Sequence, residues 1–298
     1  MPISSRRVAR KYSKKACVIA VGPWGGRKCL YKNRDRNYTP QIEIVHEIRN
    51  GVEVLYIHDT GTGWREGLNE YGIGVVNSAL QVARDEAEKK IVRETSKKSK
   101  DGPRILNILE CTGLEQAITE AKEFKGGIKG HTLLADPERT YSLEMTTKHE
   151  ARMRKLPEGK IFVRTNHGLY YDDSGYTEGA DYESSVVRRD RAKRYLRGLP
   201  HPDDLAPETI RRRSLDKQDP NNVVRDTENM STSTQVVLNL DDLEMVLYLL
   251  PGKVDFLGYR NKIPGSREEK LNLRVLEYVD LDGDGKPETK RIKLEAPK

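Results

Sequence analysis

The chain is poor in the residues that build disulfide frameworks, zinc sites and membrane spans. Its 298 residues include three cysteines, too few and too scattered for a disulfide framework or a cysteine-rich zinc site. No run of 18 apolar residues occurs, so a membrane-spanning helix is not expected. The six histidines contain no His-x-x-x-His pair, which disfavours a metal-dependent hydrolase. The scarcity of cysteine is typical of a reducing, cytoplasmic environment.

Large apolar aromatic side chains are also scarce. The chain has 3 Phe and 2 Trp beside 14 Tyr. A binding pocket made from this composition is expected to be polar or lined by tyrosine rather than deep and apolar. The 36% hydrophobic content is nevertheless enough for the core of a large domain.

The formal net charge of +7 is concentrated at the N-terminus. Residues 1–16 hold six basic residues and no acid, so residues 17–298 are nearly neutral. We interpret 17–298 as a single domain and 1–16 as a basic arm, which is a solvated tail, a binder of an anionic partner or a propeptide. An export signal is not predicted, because residues 8–15 lack its apolar stretch. Nucleic acid is not the expected partner, but a non-enzymatic binding or structural protein that uses the arm is the alternative hypothesis.

Hydrophobic periodicity predicts strands, then helices, then strands again. Strands are predicted at 17–21, 28–33, 41–48, 51–58, 131–135, 140–146, 160–165, 234–239, 244–250 and 272–279. Helices are predicted at 75–94, 114–124 and 185–197. Hairpins between neighbouring strands, such as the one at Asn50-Gly51, favour an α+β protein with antiparallel sheets.

Cys17 opens the first predicted strand directly after the basic arm. A lone cysteine is most often a small buried hydrophobe. Here a polar cluster, Lys32-Asn33-Arg34-Asp35, follows 15–18 residues later, and a strand–turn–strand of that length would bring Asp35 near Cys17. Cleavage after Ala16 would free an α-amino group with a pKa of about 7.7–8.0, which can act as a general base near neutrality. One residue would then supply both nucleophile and base, whereas Cys29, inside the second strand, is the rival nucleophile.

The order of these features resembles the N-terminal-nucleophile hydrolases of the penicillin acyltransferase and choloylglycine hydrolase type. Cys17 followed by Lys32-Asn33-Arg34-Asp35 is similar to the family's nucleophile and Arg-Asn-x-Asp motif, with Lys in place of the usual Arg. Further segments resemble family landmarks in the same order: Glu66–Val75, Leu133–Pro137, Arg164–His167 and Ser184–Arg191. The resemblance implies a four-layer αββα sandwich of antiparallel sheets.

The resemblance also implies roles for individual residues. Cys17 would be the nucleophile, Asp35 would orient its amine, and Asn77 and Asn166 would bind the oxyanion, Asn166 alternatively the amine. Arg188 would lie beside the nucleophile, although Arg189, Arg191 and Arg225 compete for that assignment. Without the resemblance, Asn77 is interpreted as a helix N-cap and Asn166 as a turn residue.

The implied activity is that of an autoprocessed cysteine amidohydrolase or acyltransferase, which cleaves a linear amide through a thioester. It needs no cofactor, and its partner is a small-molecule amide. Whether water or an amine accepts the acyl group is left open, as is homo-oligomer formation. Because Lys32 replaces the family's arginine, an inactive relative that keeps the fold is a further alternative.

An acidic turn near the C-terminus forms the last candidate site. Asp280, Asp282, Asp284 and Glu288 have the alternating spacing that begins a calcium loop. Arg291 occupies the twelfth position, where an EF-hand needs a carboxylate. The segments on either side of the acidic turn predict the two strands of a hairpin near 271–294. The sequence therefore leaves a calcium site and a simple acidic turn as alternatives.

Overall fold

The structure is a computed structural model that describes residues 15–80, 101–123, 128–146, 148–214, 219, 221–227, 230–279 and 288–294. The basic arm up to residue 14, residues 81–94 of the predicted helix, and Asp280, Asp282 and Asp284 lie outside this set. No helix in the described part of the chain is long and apolar enough to cross a membrane.

The first two strands form a hairpin that fixes the position of Cys17. They are β1 (Lys15–Trp24) and β2 (Arg27–Arg36). Gly25 and Gly26 join them with φ of 59° and 74°, the left-handed region that a tight hairpin turn requires and that glycine adopts without strain. The antiparallel register sets Cys17 opposite Arg34.

The remaining strands within the described ranges are β3 (Gln41–Arg49), β4 (Val52–Asp59), β5 (Trp64–Asn69), β6 (Gly74–Ser78), β7 (Gly130–Ala135), β8 (Thr140–Met145), β9 (Arg152–Lys155), β10 (Phe162–Arg164), β11 (Ser231–Asn239), β12 (Glu244–Leu249), β13 (Asp255–Asn261), β14 (Asn272–Val279) and β15 (Glu288–Arg291). The helices are α1 (Asp101–Leu109), α2 (Leu114–Lys122), α3 (Gly179–Leu196) and α4 (Pro207–Arg212), with a 3-10 turn at Pro202–Leu205.

These strands make two sheets. The first sheet has the order β10-β1-β2-β11-β12-β14-β15, and the second has the order β13-β3-β4-β5-β6-β7-β8-β9. Neighbours pair antiparallel except β12 with β14 and β13 with β3, which are parallel. In both parallel pairs one partner, β14 or β13, comes from the C-terminal part of the chain.

Three apolar clusters separate four layers. Along β1 the side chains alternate, so that Ile19 and Val21 join the cluster between the sheets while Val18 and Ala20 join a cluster with residues of α3 and α4. A third cluster packs the second sheet against α1 and α2. The layers are therefore helix, sheet, sheet and helix, which confirms the predicted α+β, four-layer αββα architecture.

The differences from the sequence prediction concern segments with little periodicity. Residues 75–78, predicted to begin a helix, belong instead to β6, where pairing with β5 and β7 outweighs the helical spacing. Strands β5, β9 and β13 and helices α1 and α4 were not predicted. β9, with the sequence Arg-Met-Arg-Lys, is a mostly exposed edge strand and carries no apolar alternation.

The cluster between the sheets sets the stability of this arrangement. Leu55 on β4 is wholly buried there, whereas Leu257 on β13 is 54% exposed. Leu55→Ala should lower the free energy of unfolding by about 2–5 kcal/mol in urea denaturation, because a cavity remains in the core. Leu257→Ala should change it by less than about 0.5 kcal/mol. Equal losses in the two variants would contradict the assignment of this layer.

Candidate active site

Cys17 lies at the start of β1 on the face that turns toward the second sheet. It is 2% exposed and shares this face with Ile19. The Arg36 guanidinium, at the end of the neighbouring strand, donates from Nη1 to Cys17 Sγ at 3.6 Å. The same Nη1 donates to the main-chain oxygen of Asp35 at 2.7 Å, which fixes the arginine against the strand.

The cations Arg36 and Lys32 shift the pKa of the Cys17 thiol. Burial by itself raises the pKa of Cys17, but the positive charges of Arg36 and Lys32 outweigh it and lower the pKa below the usual range of a thiol. Burial instead raises the pKa of Cys29 far above that range, and it raises the pKa of Cys111 to about 11. Of the three cysteines, Cys17 is the one whose surroundings favour the thiolate.

Asn166 and Arg188 hold the main chain around Cys17. Asn166 follows β10, and its Oδ1 accepts from the main-chain nitrogen of Cys17 at 3.1 Å. Arg188 Nη2, from the buried face of α3, donates to the same Oδ1 at 3.0 Å and to the carbonyl oxygen of Cys17 at 3.3 Å. The structure thus brings together three sequence-predicted residues that are separated by up to 171 positions.

Asp35 lies on the opposite face of β2 from Arg34 and turns toward α3. Its carboxylate accepts from Arg188 Nη1 at 2.5 Å and from Thr232 Oγ1 at 2.8 Å, and Arg225 Nε lies 3.9 Å away. Asp35 is therefore linked to Cys17 through Arg188. Arg225, one of the competing arginines, donates to Ser184 Oγ at 2.6 Å, whereas Arg189 donates to His167 at 2.9 Å.

Asn77 lies within β6, and its side chain is turned toward the neighbouring strand. Its Nδ2 donates to Thr132 Oγ1 at 2.8 Å, and its buried Oδ1 has no hydrogen-bond partner within the described residues. Val76 belongs to the cluster between the sheets and Val75 to the outer cluster. Strand alternation therefore puts the Asn77 side chain on the outer face, away from the face that carries Cys17.

A network of buried charges continues from the thiol into the space between the sheets. Lys32 and Arg34 on β2 both bind the Glu66 carboxylate on β5, and Arg34 Nη1 lies 3.4 Å from Asp59 on β4. All four side chains are at most 1% exposed. Although burial opposes it, the charges of Arg34 and Lys32 lower the pKa of Glu66 to about 2. Burial lowers the pKa of Lys32 to about 8, against the influence of Glu66.

Sequence reasoning missed Arg36, Thr232 and the part that Glu66 plays. Arg36 could have been found, because strand alternation from Arg34 puts it on the Cys17 face. Glu66 lies in a segment that the family resemblance singled out, although without a role. Thr232 gave no signal, since only the pairing of β2 with β11 brings it to Asp35.

The acidic turn stays a prediction. Of its four proposed ligands only Glu288 is described, and it begins β15, which pairs antiparallel with β14. Among the described residues no group of three or more His, Cys, Asp or Glu side chains could hold a metal ion.

The buried network predicts a dependence of stability on pH. Glu66 has a folded-state pKa below its unfolded value, so it stabilises the fold above about pH 4.5, and this contribution is lost as the pH falls toward about 2. Glu66→Gln should lose about 3–5 kcal/mol at pH 7, because Lys32 stays buried without its carboxylate partner and Arg34 keeps only Asp59. Between about pH 4.5 and about pH 2, the free energy of unfolding should also decrease less for Glu66→Gln than for wild type.

Glu158→Gln is the control, because this carboxylate pairs with Lys28 while 49% exposed. Urea denaturation at a series of pH values measures both variants. If Glu66→Gln is no less stable at pH 7 than Glu158→Gln, the buried network is not a determinant of stability.

Comparison with known proteins identifies the fold. No family model and no curated protein matches the chain. The N-acylethanolamine-hydrolyzing acid amidase ortholog of Caenorhabditis elegans is similar in structure, with a TM-score of 0.55 and 13% identity over 75% of this chain and 93% of that chain. Penicillin V acylase from Agrobacterium tumefaciens aligns with a TM-score of 0.36 and 10% identity over 80% of this chain and 87% of that chain. The fold assignment rests on the first alignment and on the layer order: the chain has the four-layer αββα fold of the N-terminal-nucleophile hydrolases.

Proposed function

We propose that this protein is an autoprocessed cysteine amidohydrolase that cleaves linear carbon–nitrogen amide bonds of small molecules. The observation that carries the proposal is the environment of Cys17. Its thiol is 3.6 Å from Arg36 and has a lowered pKa, while its main-chain nitrogen is bound by Asn166. Cys17 follows the basic arm, whereas Cys29 and Cys111 have raised thiol pKa values.

The first reaction removes residues 1–16. The Cys17 sulfur attacks the carbonyl carbon of Ala16, the carbon–nitrogen bond to Cys17 breaks, and the thiol proton passes to the departing nitrogen. Water then adds to the thioester, which releases the arm with a C-terminal carboxylate and restores the thiol. The product is a chain that begins with Cys17 and has a free α-amino group.

The same groups then act on the substrate. The neutral amine accepts the thiol proton as the sulfur attacks the amide carbonyl, and it returns the proton to the leaving amine, which departs as the carbon–nitrogen bond breaks. Water then adds to the thioester, which releases the acyl group as a carboxylic acid and restores the thiol. Asn166 Oδ1, which accepts from the Cys17 nitrogen in the full-length chain, suits an amine in the same place. Arg188 holds Asn166 and Asp35 together, so Asp35 supports this arrangement through Arg188 rather than by direct contact.

The oxyanion needs donors that are fixed before the reaction. Asn166 Nδ2 donates to the Ala79 carbonyl oxygen at 2.7 Å, and the Asn77 amide donates to Thr132. Each amide has a partner in the full-length chain and would have to share or exchange it. Asn166 is the better supported donor, because it already contacts Cys17, whereas the Asn77 side chain is turned to the outer face.

Replacement of the family's arginine by Lys32 does not argue against activity. Lys32 remains a cation close to the thiol, and its charge contributes to the lowered pKa of Cys17. An inactive relative that keeps the fold would show neither self-cleavage nor turnover. The mature enzyme could pass the acyl group to an amine instead of water, and product analysis with an added amine distinguishes the two.

Self-cleavage is tested by intact-mass measurement of the purified protein. Wild type should lack residues 1–16, and Cys17→Ala should keep them, because no sulfur is present to attack Ala16. Cys29→Ala is the matched control and should be processed like wild type, since its thiol lies in the cluster beside α3. If Cys17→Ala is processed as completely as wild type, another protease removes the arm and the mechanism is wrong.

Turnover tests the roles of the polar residues. Asn166→Ala in the processed enzyme should lower kcat by roughly 100–1000-fold, because an oxyanion donor is lost. Asn77→Ala should have a smaller effect, since its side chain is directed to Thr132. Asp35→Asn should impair both processing and turnover, because Arg188 loses the anion that holds it. A larger loss in Asn77→Ala than in Asn166→Ala would reverse the assignment of the donor.

A further inference from the structure

A polar cavity of about 360 Å³ lies beside Arg36, the residue that contacts the proposed nucleophile. It is formed by the end of β2 and the loops around β11 and β12, and Arg36 lines it. The described lining residues are polar or charged apart from Gly252 and the side chains of Met230 and Tyr38. Such a surface binds a small hydrophilic group better than a hydrocarbon chain, because its polar groups would lose hydration without gaining partners.

The strand pairing indicates which part of a substrate would enter this cavity. In the full-length chain Lys15 and Ala16 pair with Arg36 and Asp35. Ala16 carries the carbonyl group that is transferred to Cys17 Sγ in the proposed self-cleavage. Removal of residues 1–16 vacates this strand position, and the acyl group of a substrate must reach the same sulfur. The acyl side of the substrate would therefore lie opposite Asp35 and Arg36, next to the cavity.

Arg36 is a buried cation without a carboxylate partner. It is 4% exposed, and it makes no ion pair with any carboxylate in the described part of the chain. Its Nη1 contacts the Cys17 thiol and a main-chain oxygen, while its buried Nε has no hydrogen-bond acceptor among the described residues. Once Cys17 is acylated, its sulfur carries no charge, so Arg36 loses the one anion in direct contact with it unless the acyl group supplies another. Asp59 acts on Arg36 only from beyond ion-pair distance.

Tyr38 offers a second group for the same ligand. It lines the cavity two residues after Arg36, and its buried hydroxyl lies close to the Arg36 guanidinium but donates to no acceptor within the described ranges. A carboxylate accepts hydrogen bonds at two oxygens, so it can bind a guanidinium and a phenol together. A hydrogen bond between a guanidinium and a carboxylate is also among the strongest in proteins.

We propose that the cavity is the acyl-binding subsite and that it selects a short acyl chain ending in a carboxylate, which binds Arg36 and Tyr38. The proposal rests on the proposed amidase function and adds a substrate class to it. The scarcity of Phe and Trp in the chain agrees with a subsite of this polar character.

The test compares three amides of one fluorescent amine, 7-amino-4-methylcoumarin, with the processed protein. The acyl groups are glutaryl, pentanoyl and hexadecanoyl. Glutaryl and pentanoyl have the same number of carbon atoms and differ in the terminal carboxylate. The glutaryl amide should have a kcat/KM at least about 10-fold above that of the pentanoyl amide, because a charged hydrogen bond is gained. The hexadecanoyl amide should be hydrolysed most slowly.

Tyr38→Phe should lower the glutaryl-to-pentanoyl ratio by about 3–10-fold, because one hydrogen bond to the carboxylate is lost. Tyr71→Phe, at a tyrosine that is 50% exposed, is the matched control and should leave the ratio unchanged. A pentanoyl or hexadecanoyl preference, or a ratio that Tyr38→Phe does not change, overturns the subsite.

Binding is measured independently of turnover. Glutarate should raise the Tm of the processed protein and pentanoate should not, because a ligand of the folded state stabilises it by mass action. A protein that keeps residues 1–16 and hydrolyses none of the three amides would contradict the proposed function itself. A processed protein that prefers an uncharged acyl group, or whose Tm glutarate does not raise, would contradict this inference alone.

Discussion

The structure depends on placing several charges of one strand between two sheets. Lys32, Arg34 and Arg36 alternate along β2 and face the second sheet, where Glu66 and Asp59 balance the first two. Burying each of these charges costs desolvation free energy. The opposing carboxylates offset part of this cost, because their own strands hold them in position to pair with the cations. The apolar cluster between the sheets occupies the rest of this layer, and its packing keeps the carboxylates in reach.

This constraint explains why the thiol of Cys17 differs from the other two. The layer has one more strand-borne cation than it has carboxylates in direct contact, and the excess positive charge lies at Arg36, beside Sγ. The lowered pKa of the thiol therefore comes from two cations of this strand, Arg36 first and Lys32 second, which together outweigh the effect of burial. On the other face of β2 the charges are balanced differently, because Asp35 meets Arg188 there. The two faces of this sheet therefore give the sulfur and the main-chain nitrogen of Cys17 different surroundings.

The sequence predicted the parts of this site that depend on short separations. The hairpin places Cys17 opposite Arg34, next to the polar cluster, and a strand–turn–strand of that length follows from local turn chemistry. Arg188 came from the family resemblance, since nothing local links it to β1. Thr232 was not predictable, because the pairing of β2 with β11 joins segments about 200 residues apart. Around Asn77 the spacing of the apolar residues predicted a helix, but pairing with β7 makes this segment a strand.

The long-range pairing of β2 has a consequence for when the nucleophile is assembled during synthesis. Thr232 of β11 donates to Asp35, and β13 pairs with β3, so both contacts join segments about 200 residues apart. Contacts of such separation form late and slowly, because loop-closure entropy must be overcome first. A nascent chain that ends before β11 has its cysteine and basic strand but lacks part of their surroundings. Assembly of the site is thereby coupled to completion of the polypeptide.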